Sequence, residues 1–97
     1  DSATLEFSLR RTLERMAEQF AAHPENTAML ERLDAAAGMI HTLPFGVVLW
    51  RVQNIYYNMM LTVFPEFAAK AASGDPAADK WARLFRSLGD RLGVRVE

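Results

Sequence analysis

Residues 43–64 constrain the fold of this chain most strongly, because the segment is apolar around most of a helical circumference. Pro44 opens the segment and Pro65 interrupts it, so about five helical turns fit between the two prolines. A rotation of about 100° per residue gives two apolar faces. One face holds Trp50, Gln53, Tyr57, Met60, Leu61 and Phe64, and the other holds Leu49, Val52, Tyr56, Met59 and Val63. Such a helix is expected at the centre of a larger helical assembly.

The remaining side of this segment is a narrow polar stripe. It consists of Arg51, Asn54, Asn58 and Thr62. A central arginine alone costs about 2.5–3.5 kcal/mol on insertion into a bilayer, and the amides add to that cost. The segment is therefore predicted to be a core helix, and no membrane contact is expected.

Composition and charge are those of an ordinary globular domain. The 97 residues are predicted to form one helical domain, residues 1–97, with 51% hydrophobic and 24% charged residues. Eleven basic and twelve acidic residues leave a formal charge of −1. Near the N-terminus the basic residues Arg10, Arg11 and Arg15 alternate with the acidic residues Glu6, Glu14 and Glu18. Nucleic acid binding is not expected, because it usually requires Lys and Arg on one face.

Two further features concern the cellular context of the chain. It contains no cysteine, which excludes thiolate chemistry and fits a reducing compartment, so a cytoplasmic location is expected. It begins at Asp1 rather than at methionine, without the charged and apolar regions of a signal peptide. We expect it to be a piece of a longer protein.

Apolar spacing predicts helices on both sides of the central segment. The predicted ranges are 3–22, from Pro24 or Glu25 to His41, 66–72 as a short helical turn, and 76–92. The stripe expected to be buried on the first helix is Leu5, Leu9, Leu13, Met16 and Phe20. The last helix is expected to bury Trp81, Leu84, Phe85, Leu88 and Leu92. The prediction is an all-α, four-helix bundle-like domain with a proline-broken central helix.

Local signals support these helix boundaries. Asp75-Pro76 is a strong helix start, with aspartate as N-cap and proline at the first helical position. Gly93 is well placed as a C-cap. The small residues 35–38 permit another helix to approach closely. Residues 94–96 are predicted to be a short strand or an extended tail.

The sequence contains few residue patterns that are typical of catalytic, metal-binding or phosphate-binding sites. His23 and His41 lie in separate interhelical turns without metal-ligand spacing. The acidic pairs, Glu14 with Glu18 and Asp75 with Asp79, stand where solvated helix faces and helix N-termini place acids. Serines lack a nucleophile-elbow context, and the glycines are dispersed rather than grouped in a phosphate-binding loop. We expect no catalytic residue, no metal and no cofactor, and hence no enzyme complete within these residues.

Gln53 is the unusual residue of the central helix, since it lies between Trp50 and Tyr57 on an apolar face. A buried amide without a partner costs about 1–3 kcal/mol. One interpretation is a partner inside the bundle, such as a backbone carbonyl at a helix end. The other is that Trp50, Gln53, Asn54 and Tyr57 open onto a cleft, where aromatic rings and amides would suit a sugar.

Part of the chain resembles a known family. The residues that support the resemblance are Leu43-Pro44-Phe45, Leu49-Trp50, Gln53-Asn54, Tyr56-Tyr57, Pro65-Glu66-Phe67, Gly74-Asp75, Trp81, Phe85, Leu88-Gly89 and Leu92. Together they resemble the end of the helical domain of unknown function that follows the catalytic barrel in glycoside hydrolase family 57-like proteins. The similarity spans about residues 39–96, and Leu-Trp-x-x-Gln-Asn-x-Tyr-Tyr is its distinctive core.

The resemblance implies a non-catalytic role for this chain. In proteins of that type the nucleophile and acid lie on an upstream α/β barrel that acts on α-glucans, and none of that barrel is present here. The helical region packs on the barrel and helps to wall the glucan cleft. By that analogy the barrel and an α-glucan are the expected partners, and Trp50, Gln53, Asn54 and Tyr57 are the implied sugar contacts. The parent would be a glycoside hydrolase or a glucanotransferase.

Three functional hypotheses remain open at this point. The chain is an accessory domain of a glycosidase-like protein, a helical interaction or oligomerisation module, or a bundle that binds a small ligand at the Trp50–Tyr57 seam. Exposure distinguishes them. Trp50 and Tyr57 in a concave site would favour the first or third hypothesis, and exposure on a flat face would favour the second. Complete burial would leave only a scaffold.

Overall fold

The computed structural model describes residues 1–94, so most of the strand or tail predicted for residues 94–96 lies outside the described residues. The helices are α1 (Ser2–Ala22), α2 (Thr27–Ile40), α3 (Trp50–Thr62), α4 (Phe64–Ala72) and α5 (Pro76–Leu92). No strand occurs within the described part of the chain, and the all-α prediction is confirmed. The broken central helix is also confirmed, because α3 ends at Thr62 and Pro65 lies in the first turn of α4.

Side-chain caps determine where two of the helices begin. The carboxylate of Asp75 accepts hydrogen bonds from the backbone N–H groups of Ala77 and Ala78, so the predicted start of α5 is confirmed. α2 begins at Thr27, two or three residues after the predicted start at Pro24 or Glu25. Asn26 caps this helix by accepting a hydrogen bond from the backbone N–H of Met29, at 3.1 Å. Asparagine is among the preferred N-cap residues, because its side-chain oxygen accepts a bond from an otherwise unpaired N–H group of the first turn.

The central helix begins later than predicted. Residues 43–49 are not helical, and α3 starts at Trp50 rather than near Pro44. Gly46 and the two β-branched residues after it have low helix propensity, and no side chain caps an earlier start. The backbone N–H of Val48 instead donates to the carboxylate of Glu6 on α1, at 3.0 Å. If α3 began earlier, the same N–H group would bond to a backbone carbonyl within the helix.

Trp81 lies at the centre of the core and is fully buried. Its ring stacks on Phe67 of α4 at 4.0 Å between centroids and on Phe85 of α5 at 4.9 Å. Phe85 in turn stacks on Tyr56 of α3 at 4.2 Å. The indole N–H of Trp81 donates to the backbone carbonyl of Pro24, at 2.7 Å. One aromatic stack thus joins α3, α4 and α5 to the turn between α1 and α2.

The small residues of α2 make room for a side chain of α5. A Cβ at Gly38 would collide with the guanidinium of Arg91. Arg91 pairs with the buried carboxylate of Asp34 at 3.3 Å and also donates to the Asp34 backbone carbonyl. The hydroxyl of Ser87 donates to the same carboxylate, at 2.9 Å. The predicted close approach at residues 35–38 therefore involves an arginine and its ion pair.

The first helix reaches past the core. The structure measures 49 by 23 by 21 Å, and Leu13 and Phe20 in the second half of α1 are buried. Leu5, which was expected to be buried, is half exposed. It lies in the N-terminal part of α1, beyond the turns that the other helices cover.

Tyr56 is a buried phenol with a single acceptor. Its hydroxyl donates to the backbone carbonyl of Phe85, at 2.6 Å. The phenol fits there because Gly89 has no Cβ, which would collide with the Tyr56 hydroxyl. Burial raises the pKa of Tyr56 far above its usual value.

Trp81→Ala is expected to lower the free energy of unfolding by about 3–5 kcal/mol, because it opens a cavity and removes the donor to Pro24. Urea denaturation followed by circular dichroism measures the loss. Phe7→Ala is the matched control and should change stability by less than about 0.5 kcal/mol, since Phe7 is more than half exposed. Equal losses in the two variants would contradict this description of the core.

The raised pKa of Tyr56 predicts a loss of stability in alkali. Above about pH 10 the unfolded chain loses the phenolic proton and the folded chain keeps it, so unfolding becomes more favourable as the pH rises. The contribution of the raised pKa is complete below about pH 10 and is lost as the pH approaches the folded value. Denaturation midpoints measured across this range should fall less steeply for Tyr56→Phe. Tyr57→Phe is the control, and an equal change in slope would overturn the assignment.

Candidate functional site

The rotation of α3 decides which of its two apolar faces is available to a partner. Val52, Tyr56 and Met59 are buried and form the inner side of the helix. On the other side Trp50 is 77% exposed and Tyr57 is 52% exposed. The expectation that this helix is enclosed within a larger assembly is therefore met inside this chain on one side only, and for the other side it stays a prediction. The sequence pattern does not distinguish two faces that are both apolar.

Seven residues of α3 are exposed, and four of them lie in a straight line, hereafter the outer face of α3. Its members are Trp50, Asn54, Tyr57 and Leu61, all of them exposed. Their spacing of four, three and four residues places them along one side of the helix, over about 16 Å. Two aromatic rings, one amide and one leucine are thus presented together at the surface.

The outer face of α3 is nearly free of charge. Arg51 is the single charged residue of α3, and it lies beside the outer face rather than on it. Its guanidinium donates to the carboxylate of Glu18 on α1, at 2.7 Å. That hydrogen bond raises the pKa of Arg51, which remains a cation. The ion pair joins α3 to α1 along one edge of the outer face.

Gln53 has an internal partner at the other edge. Its amide N–H donates to the backbone carbonyl of Leu92, at 2.8 Å, near the end of α5. A backbone carbonyl at a helix end was one of the two interpretations drawn from the sequence, and it is confirmed. Of the four predicted sugar-contact residues, Trp50, Asn54 and Tyr57 are exposed together, and Gln53 is half buried and bonded to α5. Their sugar-binding role remains a prediction.

An apolar groove lies elsewhere on the molecule, between α1 and α2. Its volume is about 120 Å³, and it is lined by Leu9, Thr12, Leu13, Met16, Ala36, Met39, Ile40 and Leu43. None of the four residues of the outer face lines this groove. The outer face itself follows one side of a single helix, which is a convex surface. The groove was not predicted from the sequence, because Leu9, Leu13 and Met16, which line it, were expected to be buried on the first helix.

Within residues 1–94 no group of three His, Cys, Asp or Glu side chains is placed to hold a metal ion. His41 instead uses a ring nitrogen in a contact of 2.8 Å with the backbone carbonyl of Arg91. In the same part of the chain no helix is both long and apolar enough to cross a membrane.

Comparison with known proteins adds no relative, since no family model, no curated protein and no solved structure matches this chain. The resemblance to glycoside hydrolase family 57-like proteins therefore remains a prediction from the residues in which it was seen.

Proposed function

We propose that this chain is a non-catalytic helical domain that acts by docking, and that the outer face of α3 is the surface that docks. The observation behind the proposal is the exposure of Trp50, which leaves 77% of a large indole in water. A folded domain gains about 25 cal/mol for each Å² of apolar surface that it covers. A tryptophan left exposed beside a second exposed ring is a site where a partner would gain that energy.

The chemistry of the outer face is that of an interface. The cores of protein interfaces are enriched in Tyr and Trp and depleted in Lys, Glu and Asp. The outer face follows that composition, with Trp50 and Tyr57 and without a charge. The exposed surface of α5 is different in kind, since Asp79 pairs there with Arg83 and Lys80 pairs with Glu31 of α2. Docking is therefore proposed for α3 and not for α5.

The resemblance adds an expected setting for this docking domain. We propose that it belongs to a glycoside hydrolase family 57-like protein that acts on α-glucans, whose catalytic barrel supplies the nucleophile and the acid. This chain supplies no catalytic group in that arrangement.

Contact with an α-glucan is the second candidate function for the outer face. The observation that favours it is the position of Asn54, whose exposed amide lies between two exposed aromatic rings. Rings stack on the C–H faces of a sugar, and an amide offers both a donor and an acceptor to its hydroxyls. The internal bond of Gln53 reduces the predicted set to Trp50, Asn54 and Tyr57 for this role.

Photocrosslinking tests the docking proposal. Tyr57 is replaced by benzoylphenylalanine in cells that make the protein, and adducts are identified by mass spectrometry. We expect the probe at residue 57 to form a covalent adduct with one partner protein. The same probe at Ala77, an exposed residue at the start of α5, should give none. The absence of an adduct at residue 57, or an equal yield at residue 77, would overturn docking through α3.

Maltoheptaose tests the sugar contact. The chain has two tryptophans, one exposed at position 50 and one fully buried at position 81, so their emission differs and the exposed one reports on the outer face. If glucan binds there, titration should give a saturable fluorescence change that Trp50→Phe removes. A change that persists in Trp50→Phe, or no change at all, would exclude α-glucan contact at Trp50.

A further inference from the structure

We infer that the outer face of α3 binds a second copy of this chain, with the two α3 helices packed antiparallel about a two-fold axis. The inference rests on the proposed docking role of that face and names its partner. Four properties of the outer face support it, namely the symmetry of its spacing, the chemistry of the facing residues, the position of the charges and the exposed area.

The spacing of the outer face is the same in both chain directions. Its four residues are separated by four, three and four positions, so the pattern is symmetric about the midpoint between Ile55 and Tyr56. In an antiparallel pair centred there, Trp50 faces Leu61 of the second copy and Asn54 faces Tyr57 of the second copy. Each contact then occurs twice, as a two-fold interface requires. A stripe without this symmetry would leave one end of each helix unmatched.

The facing residues are chemically matched. The indole of Trp50 meets the side chain of Leu61, so two apolar groups leave water together. The amide of Asn54 meets the phenol of Tyr57, whose hydroxyl donates or accepts a hydrogen bond. The polar groups nearest the centre of the pair are thus satisfied by each other, and burying them without partners would cost about 1–3 kcal/mol each.

The charges also favour the antiparallel arrangement. Arg51 lies near one end of α3 and already pairs with Glu18 of its own chain. Antiparallel packing places the two Arg51 residues near opposite ends of the interface, about 13 Å apart along the helix axis. Parallel packing would bring them to the same level and would face Trp50 with Trp50. The arrangement that matches apolar groups is therefore also the one that separates like charges.

The exposed area of the outer face determines how tightly we expect the two copies to bind. With 77% of Trp50 and 52% of Tyr57 exposed, the two rings present about 300 Å² on each copy. A stable interface buries about 800 Å² on each partner. The rings supply more than a third of that area, with Tyr57 near the centre and Trp50 toward the ends, and Asn54, Leu61, Asn58 and Thr62 add to it. A dimer with a dissociation constant in the micromolar range is expected.

Sedimentation velocity over a range of protein concentrations tests the self-association. The wild-type chain should pass from monomer to dimer, and Tyr57→Arg should weaken the association at least about tenfold, because it places two like charges at the centre. Leu5→Arg is the matched control, since it exchanges a half-exposed apolar residue of α1 for the same charge. Circular dichroism verifies the fold of each variant. A wild-type monomer at all concentrations, or equal effects of both variants, would overturn the inference.

Single cysteines test the geometry, because the chain has no other thiol. Asn54→Cys lies close to the proposed axis and should form a covalent dimer on oxidation. Thr62→Cys lies on the same helix, but antiparallel packing places the two copies of residue 62 about 20 Å apart along the axis, beyond the reach of a disulfide. Equal crosslinking at both positions would overturn the antiparallel arrangement.

The photocrosslink at residue 57 distinguishes self-association through α3 from the more general proposal that α3 docks a partner. An adduct to the barrel with a monomeric isolated chain would leave docking in place and overturn the second copy as partner. An adduct between two copies supports both. No adduct, together with a monomeric chain, overturns both.

Discussion

Trp81 is the residue on which the arrangement of the five helices depends. Its ring stacks between Phe67 and Phe85, and its N–H bonds to the carbonyl of Pro24 in the turn between α1 and α2. A buried indole N–H without an acceptor is costly, so this turn has to lie against α5. Stacking and hydrogen bonding by one side chain thus bring together elements that are distant in sequence. The exposed outer face of α3 exists because the opposite side of α3 contributes Tyr56 to the same stack.

Helix boundaries that depend on local chemistry were predictable from the sequence. Asp75 before Pro76 and Gly93 after the last apolar residue act through backbone groups within a few positions, so their pattern is sufficient. Residues 43–49 were not predictable in the same way. Their apolar content fits a helix, but the N–H of Val48 finds its acceptor in Glu6, which is 42 positions away. Helical periodicity does not reveal a hydrogen bond between residues so far apart in the sequence.

The chemistry of the candidate site could be predicted from the sequence, but the face of α3 that meets water could not. The need of the Gln53 amide for a partner follows from the cost of burying it, and the carbonyl of Leu92 supplies that partner. Which face of α3 meets water does not follow from the sequence, because both faces are apolar. The burial of Val52, Tyr56 and Met59 sets the rotation of the helix, and the contacts of Arg51 with Glu18 and of Gln53 with Leu92 join α3 to α1 and α5. Only the assembled structure shows that Trp50 and Tyr57 are exposed.

The near absence of charge on the outer face of α3 has a kinetic consequence. Charged interfaces attract their partners over several ångströms and associate at up to about 10⁹ M⁻¹s⁻¹, whereas unsteered docking proceeds at about 10⁵–10⁶ M⁻¹s⁻¹. A partner that binds this face must meet it by unguided diffusion, at a rate that salt hardly changes. Such a surface is most effective when its partner is held nearby on the same polypeptide or in the same assembly, because tethering raises the effective concentration to the millimolar range.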